Sequence, residues 1–224
     1  MWKPGPLARP RHAAHGAAAR GRLAGPAGGR RRRPASGCLS PDGVNRVLAQ
    51  RAPRMAAHQR AVAELTGVVA RAIGLDGEER HAVVRAAELH DVGKIAVPDA
   101  ILNKPGPLDE AELEVMRRHA VAGQHILAGF EPAVVGRLVR ASHERWDGSG
   151  YPDGLRGEAI PLGARIITIC DSFDAMTHAR PYRPARSVSE AFAELRHGAG
   201  RRFDPALVAV FLSELAYLET RVTQ

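Results

Sequence analysis

The sequence predicts an all-α fold, and three observations support this prediction. Beyond residue 50, apolar residues recur at the three- and four-residue spacing of a buried helix face. Asp76, Asp109 and Ser187 are each followed three residues later by Glu, which is the pattern that caps the start of a helix. No segment alternates apolar and polar residues for long, so strands are not expected.

The predicted helices follow one another with the short connections typical of packed helices. The first places Val62, Leu65 and Val69 on one face and ends at Gly74. The later ones start, in chain order, at Asp76 (leading to His90), Pro98 (through Leu102), Asp109 (carrying Met116 and His119), Val121, Pro132, Pro161, Ser187 and Asp204.

Charge and composition divide the chain into three regions. Residues 1–50 are rich in Ala, Gly, Pro and Arg and are expected to be a disordered, basic segment. The net charge of the whole chain is +8, but residues 1–54 hold 12 Lys and Arg side chains against one acid. The rest is mildly acidic, so nucleic acid is not an expected partner except through that basic segment. Residues 51–219 are predicted to form the helical domain, and residues 220–224 a C-terminal tail.

Two readings of the basic segment stay open beside nucleic-acid binding: a solvated tail, or a translation start placed too early, with Met55 as the alternative start. The two cysteines, Cys38 and Cys170, lack the spacing of a disulfide scaffold or a thiolate zinc site. No apolar run is long enough for a membrane span, and no secretory signal is evident. A cytoplasmic protein is therefore expected, and a homodimer is left open.

Five places in the helical domain carry side chains that commonly bind divalent metals. They lie at predicted helix ends or on apolar faces: His58, His90–Asp91, His119, His143 and Asp171. Asp171 interrupts an apolar run, where an ionised carboxylate is costly unless it is paired or bound to a cation. Taken singly, each has an ordinary alternative, such as a solvated Asp, a surface histidine or a pairing of Asp171 with an arginine.

Together with their surroundings, these residues resemble the HD-GYP family, a branch of the HD-domain metal-dependent phosphohydrolases. The resemblance covers about three quarters of the chain, in the right order. It rests on AAELHDVGKIAVPDAILNKPGPL (86–108), MRRHAVAGQHIL (116–127), SHERWDGSGYPDGLRGEAIPLGARI (142–166), DSFDAMT (171–177), RPYRPA (180–185) and FDPALVAVFL (203–212).

The resemblance implies an HD-domain helical bundle with a central binuclear metal site. It implies as metal ligands His58, His90, Asp91, His119, His143 and Asp171. It further implies hydrolysis of cyclic di-GMP to linear pGpG, or on to GMP, with iron or manganese as the metal. Six nitrogen and oxygen ligands suit two divalent ions that share Asp91 and activate a water for in-line attack on a phosphodiester. Lys94 is expected to stabilise negative charge on the reacting phosphate.

The resemblance also implies substrate contacts. Tyr151 is expected to shape the substrate site and could stack on a guanine. Arg180 and Arg183 offer bidentate donors for phosphates, or else belong to a solvated basic turn. Asp174 is expected to contact a guanine edge or to orient Arg180.

The chain departs from the family pattern at two positions linked to a third metal. Ser142 stands where many members have histidine, and Arg54 stands where some have glutamate. The sequence therefore predicts two metals and a product that stops at pGpG. The segment before His58 also lacks the usual flanking residues. Two other functions remain: hydrolysis of another cyclic dinucleotide or nucleotide, and binding of a nucleotide or partner without turnover.

Overall fold

The structure confirms the predicted all-α fold. The computed structural model describes residues 40–179 and 184–222, with residues 219–222 described by their backbone alone. No strand forms within these residues. The helices are α1 (Pro41–Arg51), α2 (Met55–Ala72), α3 (Gly77–Leu89), α4 (Asp99–Leu102), α5 (Glu110–Arg117), α6 (His119–Leu127), α7 (Ala133–Ala141), α8 (Leu162–Thr177), α9 (Val188–Gly198) and α10 (Pro205–Val222), with short 3-10 turns at Val92–Ala96 and Gly157–Ala159.

The three predicted capping pairs all form. Each helix start has a side chain that accepts a hydrogen bond from the backbone three residues on, and a glutamate that accepts one in return. The pairs are Asp76 with Glu79 on α3, Asp109 with Glu112 on α5, and Ser187 with Glu190 on α9. Because these contacts are local, the sequence alone was enough to locate them.

Because helix α1 forms, the folded domain begins nearer the N-terminus than predicted. The prediction of disorder is wrong for residues 41–50, which form α1 and place Leu48 fully inside the core. Arg51 at its end donates hydrogen bonds of 2.8 and 2.9 Å to two backbone carbonyls of the segment after α3. Contacts with distant parts of the chain thus stabilise a helix that has few apolar residues of its own. Residues 1–39 lie outside the described part of the chain.

Two other boundaries differ from the prediction. The single helix expected from Asp109 through His119 is divided, because α5 ends at Arg117 and α6 begins at His119. Residues 220–222 belong to α10 and not to a separate tail, whereas residues 223–224 lie outside the described residues.

Helix α2 occupies the middle of the bundle and packs against α3 and α8. Helix α6 packs against both α7 and the 3-10 turn that follows α3. This second contact is close: a Cβ at Gly93 would overlap the backbone of His119 and Gly123, so only glycine fits there. The ends of α3 and α7 and the start of α6 are thereby brought together beside α2 and α8.

The core is made of the apolar faces that the periodicity predicted. Ile166, Ile167 and Cys170 of α8 and Val62 of α2 are fully buried. Burial of each such aliphatic side chain contributes about 1.5–3 kcal/mol to folding. In the part of the chain that is described, none of the helices combines the length and the apolar character that a membrane crossing would require.

Candidate metal centre

The six predicted metal ligands come together in the middle of the bundle, although they come from widely separated parts of the sequence. Three of them form one group: His58 of α2, His90 at the end of α3 and Asp171 of α8. The Nε2 atom of His58 lies 3.1 Å from Asp171 Oδ1, and that of His90 lies 3.9 Å from the same oxygen. The close packing of α2 on α3 and α8 produces this group.

The other three ligands form a second group next to the first. Asp91 follows α3, His119 opens α6 and His143 follows α7. The two histidine Nε2 atoms are 2.8 Å apart, and His119 Nε2 lies 3.4 Å from Asp91 Oδ1. In each group the possible ligand atoms lie within 4.8 Å of one another, as the ligands of a single ion do.

Asp91 lies between the two groups. Its Oδ1 faces His119, while its Oδ2 lies 3.5 Å from His90 Nε2 in the first group. The carboxylate is almost completely buried, with 1% of its surface exposed. One carboxylate that directs an oxygen towards each group is the arrangement by which two metal ions share a ligand.

Two polar atoms at the junction of the groups lack a hydrogen-bond partner among the described residues. They are His90 Nε2 and Asp91 Oδ1, and both are buried. A buried polar atom without a partner costs about 1–3 kcal/mol, and more when it is charged. One divalent cation in each group would satisfy the unpartnered atom of that group, so the residues present fit a metal site.

Hydrogen bonds on the outer side of the imidazoles fix which nitrogen faces the centre. His90 Nδ1 donates to the Ala87 carbonyl at 2.8 Å, and His119 Nδ1 donates to the Met116 carbonyl at 2.7 Å. Because Nδ1 carries the proton in both rings, the lone pair of each Nε2 is directed towards the cluster. A fixed tautomer of this kind is characteristic of metal-binding histidines.

The electrostatics at His143 and His119 also favour cation binding. Burial is the main influence on His143 and His119, and it lowers the pKa of these imidazoles to about 3 and about 4. Both are therefore neutral at pH 7, as metal ligation requires. Burial opposes the charge on His58 too, but hydrogen bonds with Asp171 and Asp174 raise the pKa of this imidazole to about 9.

The carboxylates keep their negative charge in spite of burial. Desolvation would raise the pKa of Asp91, yet the Lys94 ammonium and the surrounding imidazoles hold it well below the usual range. Lys94 Nζ lies 2.6 Å from Asp91 Oδ2, so it is placed at the ligand that joins the two groups. A positive charge at this point is close to any phosphate that the cluster binds.

Asp174 lies behind His58. It is 4% exposed, and its Oδ2 lies 2.6 Å from His58 Nδ1. Its Oδ1 lies 3.0 Å from His178 Nδ1, so both carboxylate oxygens are engaged. The predicted contact with a guanine edge or with Arg180 stays a prediction. The spacing of three residues from Asp171 puts both carboxylates on one face of α8, so the sequence contained the signal for this placement.

Tyr151 lies against a metal-ligand candidate. Its ring is stacked on His143, with centroids 5.2 Å apart and planes inclined by 13°. The guanidinium of Arg117 lies 5.6 Å from the centroid of the same tyrosine ring. Sequence reasoning missed the part played by Arg117, because nothing in its local pattern connects α5 with the glycine-rich loop of residues 147–161 that carries Tyr151.

Glu144 was also missed by sequence reasoning. This buried carboxylate, 1% exposed, accepts hydrogen bonds from the backbone N–H groups of Asp153 at 2.7 Å and Leu155 at 3.1 Å. It thereby anchors the loop that carries Tyr151. A Cβ at Gly150 would overlap the backbone of Glu144, so the loop also needs glycine where it crosses this residue. The adjacency of Glu144 to His143 was the available signal.

A cavity of about 580 Å³ opens onto the cluster. Its inner wall includes His58, Asp91, Lys94, His143 and Asp171. Its other wall is formed by the residues around the start of α2 and the end of α8. The two predicted phosphate-binding arginines, Arg180 and Arg183, lie outside the described residues. The volume is within the range of about 300–1,000 Å³ common for small-molecule sites.

Comparison with known proteins agrees with this geometry. The sequence model of the HD domain matches residues 43–207. A cyclic di-GMP phosphodiesterase response regulator, RpfG of Xanthomonas campestris pv. campestris, is 48% identical over 161 residues, which are 70% of this chain and 43% of that protein. The 3′3′-cGAMP-specific phosphodiesterase 3 of Vibrio cholerae is 38% identical over 180 residues, covering 80% of this chain and 39% of that protein.

A solved structure has the same fold. The HD domain of the Listeria monocytogenes phosphodiesterase PgpH, in complex with cyclic di-AMP, superposes with a TM-score of 0.57 at 17% identity over 81% of this chain and 97% of that one. This chain spans less than half the length of the two curated relatives above. Since the family match covers most of the chain, the resemblance to the HD-GYP branch is confirmed, and the chain belongs to the HD domain family.

Proposed function

We propose that this chain is a metal-dependent phosphodiesterase that hydrolyses cyclic di-GMP to linear pGpG. The observation that carries the proposal is the pair of ligand groups joined by Asp91, with two buried ligand atoms that have no hydrogen-bond partner in the described part of the chain. Relatives named for cyclic dinucleotide hydrolysis support the substrate class. Water adds across one phosphorus–oxygen bond, so that the product has a terminal phosphate and a free hydroxyl.

In this proposal each ligand group holds one divalent ion, iron or manganese, and Asp91 serves both. When bound, such ions supply a water molecule activated near neutral pH and polarise the phosphate oxygens. His90 and His119 keep their protons on Nδ1, which leaves both Nε2 atoms available to the ions. Asp174 holds the Nδ1 side of His58 and so sets the direction of His58 Nε2.

Lys94 stabilises negative charge on the reacting phosphate. Its ammonium is held 2.6 Å from Asp91 Oδ2, at the edge of the cavity. From this position it offsets the negative charge that grows on the phosphate oxygens as the attacking oxygen approaches phosphorus. We assign it a catalytic role together with Asp91, whereas Tyr151 acts by holding His143 through ring stacking.

The test is an assay of purified protein with cyclic di-GMP, with and without Fe²⁺ or Mn²⁺ under anaerobic conditions, followed by chromatography of the products. We expect metal-dependent accumulation of pGpG. Less than one metal per chain, together with no cleavage in added metal, would instead favour a module that binds a nucleotide or partner without turnover.

A second substrate, 3′3′-cGAMP, belongs in the same assay because one of the relatives reported above is named for it. Comparison of kcat/KM for the two dinucleotides decides between them. A further expectation concerns the end product: the Ser142 hydroxyl donates to the Val139 carbonyl at 2.8 Å, and Ser142 belongs to neither ligand group among the described residues. With two ions only, hydrolysis should stop at pGpG. Release of GMP at the same rate as pGpG would contradict this.

Other expectations stay predictions. These are the cytoplasmic location, the homodimer, and nucleic-acid contact through the basic segment. Sedimentation of the purified chain tests the dimer, and retention of a duplex by the full chain but not by a chain starting at Leu39 tests the nucleic-acid contact.

A further inference from the structure

The catalytic cavity has a second wall to which the metal cluster does not contribute. Around the start of α2 and the end of α8 this wall is lined by Ala52, Met55, Ala57, Ala175 and Ala179, together with the paired Asp174 and His178. Arg54 lies among them. Small side chains leave room for a bulky ligand there, and Arg54 supplies a full positive charge.

The guanidinium of Arg54 is held in place at this wall. Its Nη1 donates to the Ala179 carbonyl at 3.1 Å, so the arginine connects the start of α2 with the segment after α8. Among the described residues no carboxylate pairs with it, although the cavity contains several carboxylates at the cluster. A guanidinium has five N–H donors in a planar fork, and most of those of Arg54 remain free for an anion.

Lys94 and Arg54, two cationic side chains that line the cavity, have different surroundings. Lys94 forms an ion pair with Asp91 and therefore lies beside the phosphate that reacts at the cluster. Arg54 immediately precedes α2, one helical turn before His58, and lines the same cavity but lies outside the ligand set. A cyclic dinucleotide has two phosphodiester groups on opposite sides of its ring, so when one is at the metal ions the other must lie elsewhere in the cavity.

We propose that Arg54 binds the second phosphate of a cyclic dinucleotide and so sets the preference of this site for substrates with two phosphates. The inference rests on the proposed function, whose substrate it specifies. Arg54 is a substrate-binding residue in this account and takes no part in activating the water. Its charge also makes this end of the cavity favourable for an anion and unfavourable for a further cation.

The experiment compares Arg54→Ala with Arg54→Lys, and with Arg60→Ala as the matched control. Arg60 is an exposed arginine on the same helix that lines a separate surface groove between α1, α2 and α3. Each metal-loaded protein is assayed on cyclic di-GMP and on bis(p-nitrophenyl) phosphate, a diester with a single phosphate. Metal content and circular dichroism establish that the variants are folded and loaded equally.

For Arg54→Ala, loss of a charge-assisted contact should raise KM for cyclic di-GMP roughly 10- to 100-fold. The kinetics on bis(p-nitrophenyl) phosphate should be unchanged. Arg54→Lys should recover part of the loss, and Arg60→Ala should behave as wild type. An unchanged KM for cyclic di-GMP in Arg54→Ala would overturn the inference and leave the proposed function standing, as would an equal loss on both substrates. A wild-type protein that cleaves only the single-phosphate diester would overturn both.

Discussion

The substitution Glu144→Ala should release the glycine-rich loop from its position beside the metal centre. The Glu144 carboxylate is buried and accepts hydrogen bonds from two backbone N–H groups of that loop, those of Asp153 and Leu155. The same loop places Tyr151 flat against His143. The substitution leaves every predicted ligand in the chain but removes the anchor that holds the tyrosine in position.

The magnitude follows from the contacts that are lost. Each hydrogen bond to a charged acceptor contributes about 1.5–3 kcal/mol, so two of them amount to about 3–6 kcal/mol before relaxation. Water that reaches the two freed N–H groups restores part of this, and we expect the free energy of unfolding to fall by about 2–4 kcal/mol. Glu144→Gln should cost about half as much, because its amide can accept from one N–H while its NH₂ group opposes the other.

The measurement is urea unfolding of metal-free protein followed by circular dichroism, in parallel with kcat on cyclic di-GMP for the metal-loaded form. Glu158→Ala is the control, since Glu158 is exposed in the same loop and should change stability by no more than about 0.5 kcal/mol. If Glu144→Ala unfolded at the urea concentration of the control and kept wild-type kcat, the role assigned to Glu144 would be refuted.

Four further predictions concern the cluster. Asp91→Ala should abolish hydrolysis while circular dichroism keeps the helical signal; global unfolding, with metal-free wild type remaining stable, would contradict this. Asp174→Ala should weaken metal retention about 10- to 100-fold in competition with a chelator, because His58 loses its partner; wild-type retention would refute it. Tyr151→Phe should keep kcat and Tyr151→Ala should lose it, because the stacking on His143 needs only the ring; equal kcat values in the two variants would refute the stacking role. Urea unfolding of the metal-free protein should be compared with that of protein in metal at a concentration a thousand times Kd. Removal of the metal should lower the free energy of unfolding by about 4 kcal/mol. Coincident unfolding curves would show that the cluster holds no ion under those conditions.

Local interactions account for what the sequence predicted well. The all-α fold and the three capping boxes depend on residues three or four positions apart, and these can be identified without a structure. Helix α1 lies almost entirely in the segment that was predicted to be disordered, because its stability depends on burial of Leu48 and on Arg51 reaching the segment after α3. Such partners are 40 or more residues away along the chain, as for the Arg51 contact with Ile95.

The same distinction between local and long-range interactions applies to the candidate metal centre. The side-chain types and the surrounding motifs predicted six metal ligands from the sequence, and the structure brings these six residues together in two groups that could hold a metal ion. Their division into two groups was not predictable, because it depends on the packing of α2 with α3 and α8 and of α6 with α7. Arg117 and Glu144 were missed for the same reason: each acts through a contact that no local pattern encodes.

Two residues predicted to touch substrate lie against metal-ligand candidates, and this changes where selectivity should arise. Asp174 has both oxygens engaged by imidazoles, and Tyr151 has His143 stacked on its ring and Arg117 close to it. Neither can take up a nucleobase without giving up one of these contacts. They are therefore expected to affect all phosphodiester substrates alike, through the metal centre. Discrimination between substrates should instead depend on the part of the cavity at the start of α2, where Arg54 lies.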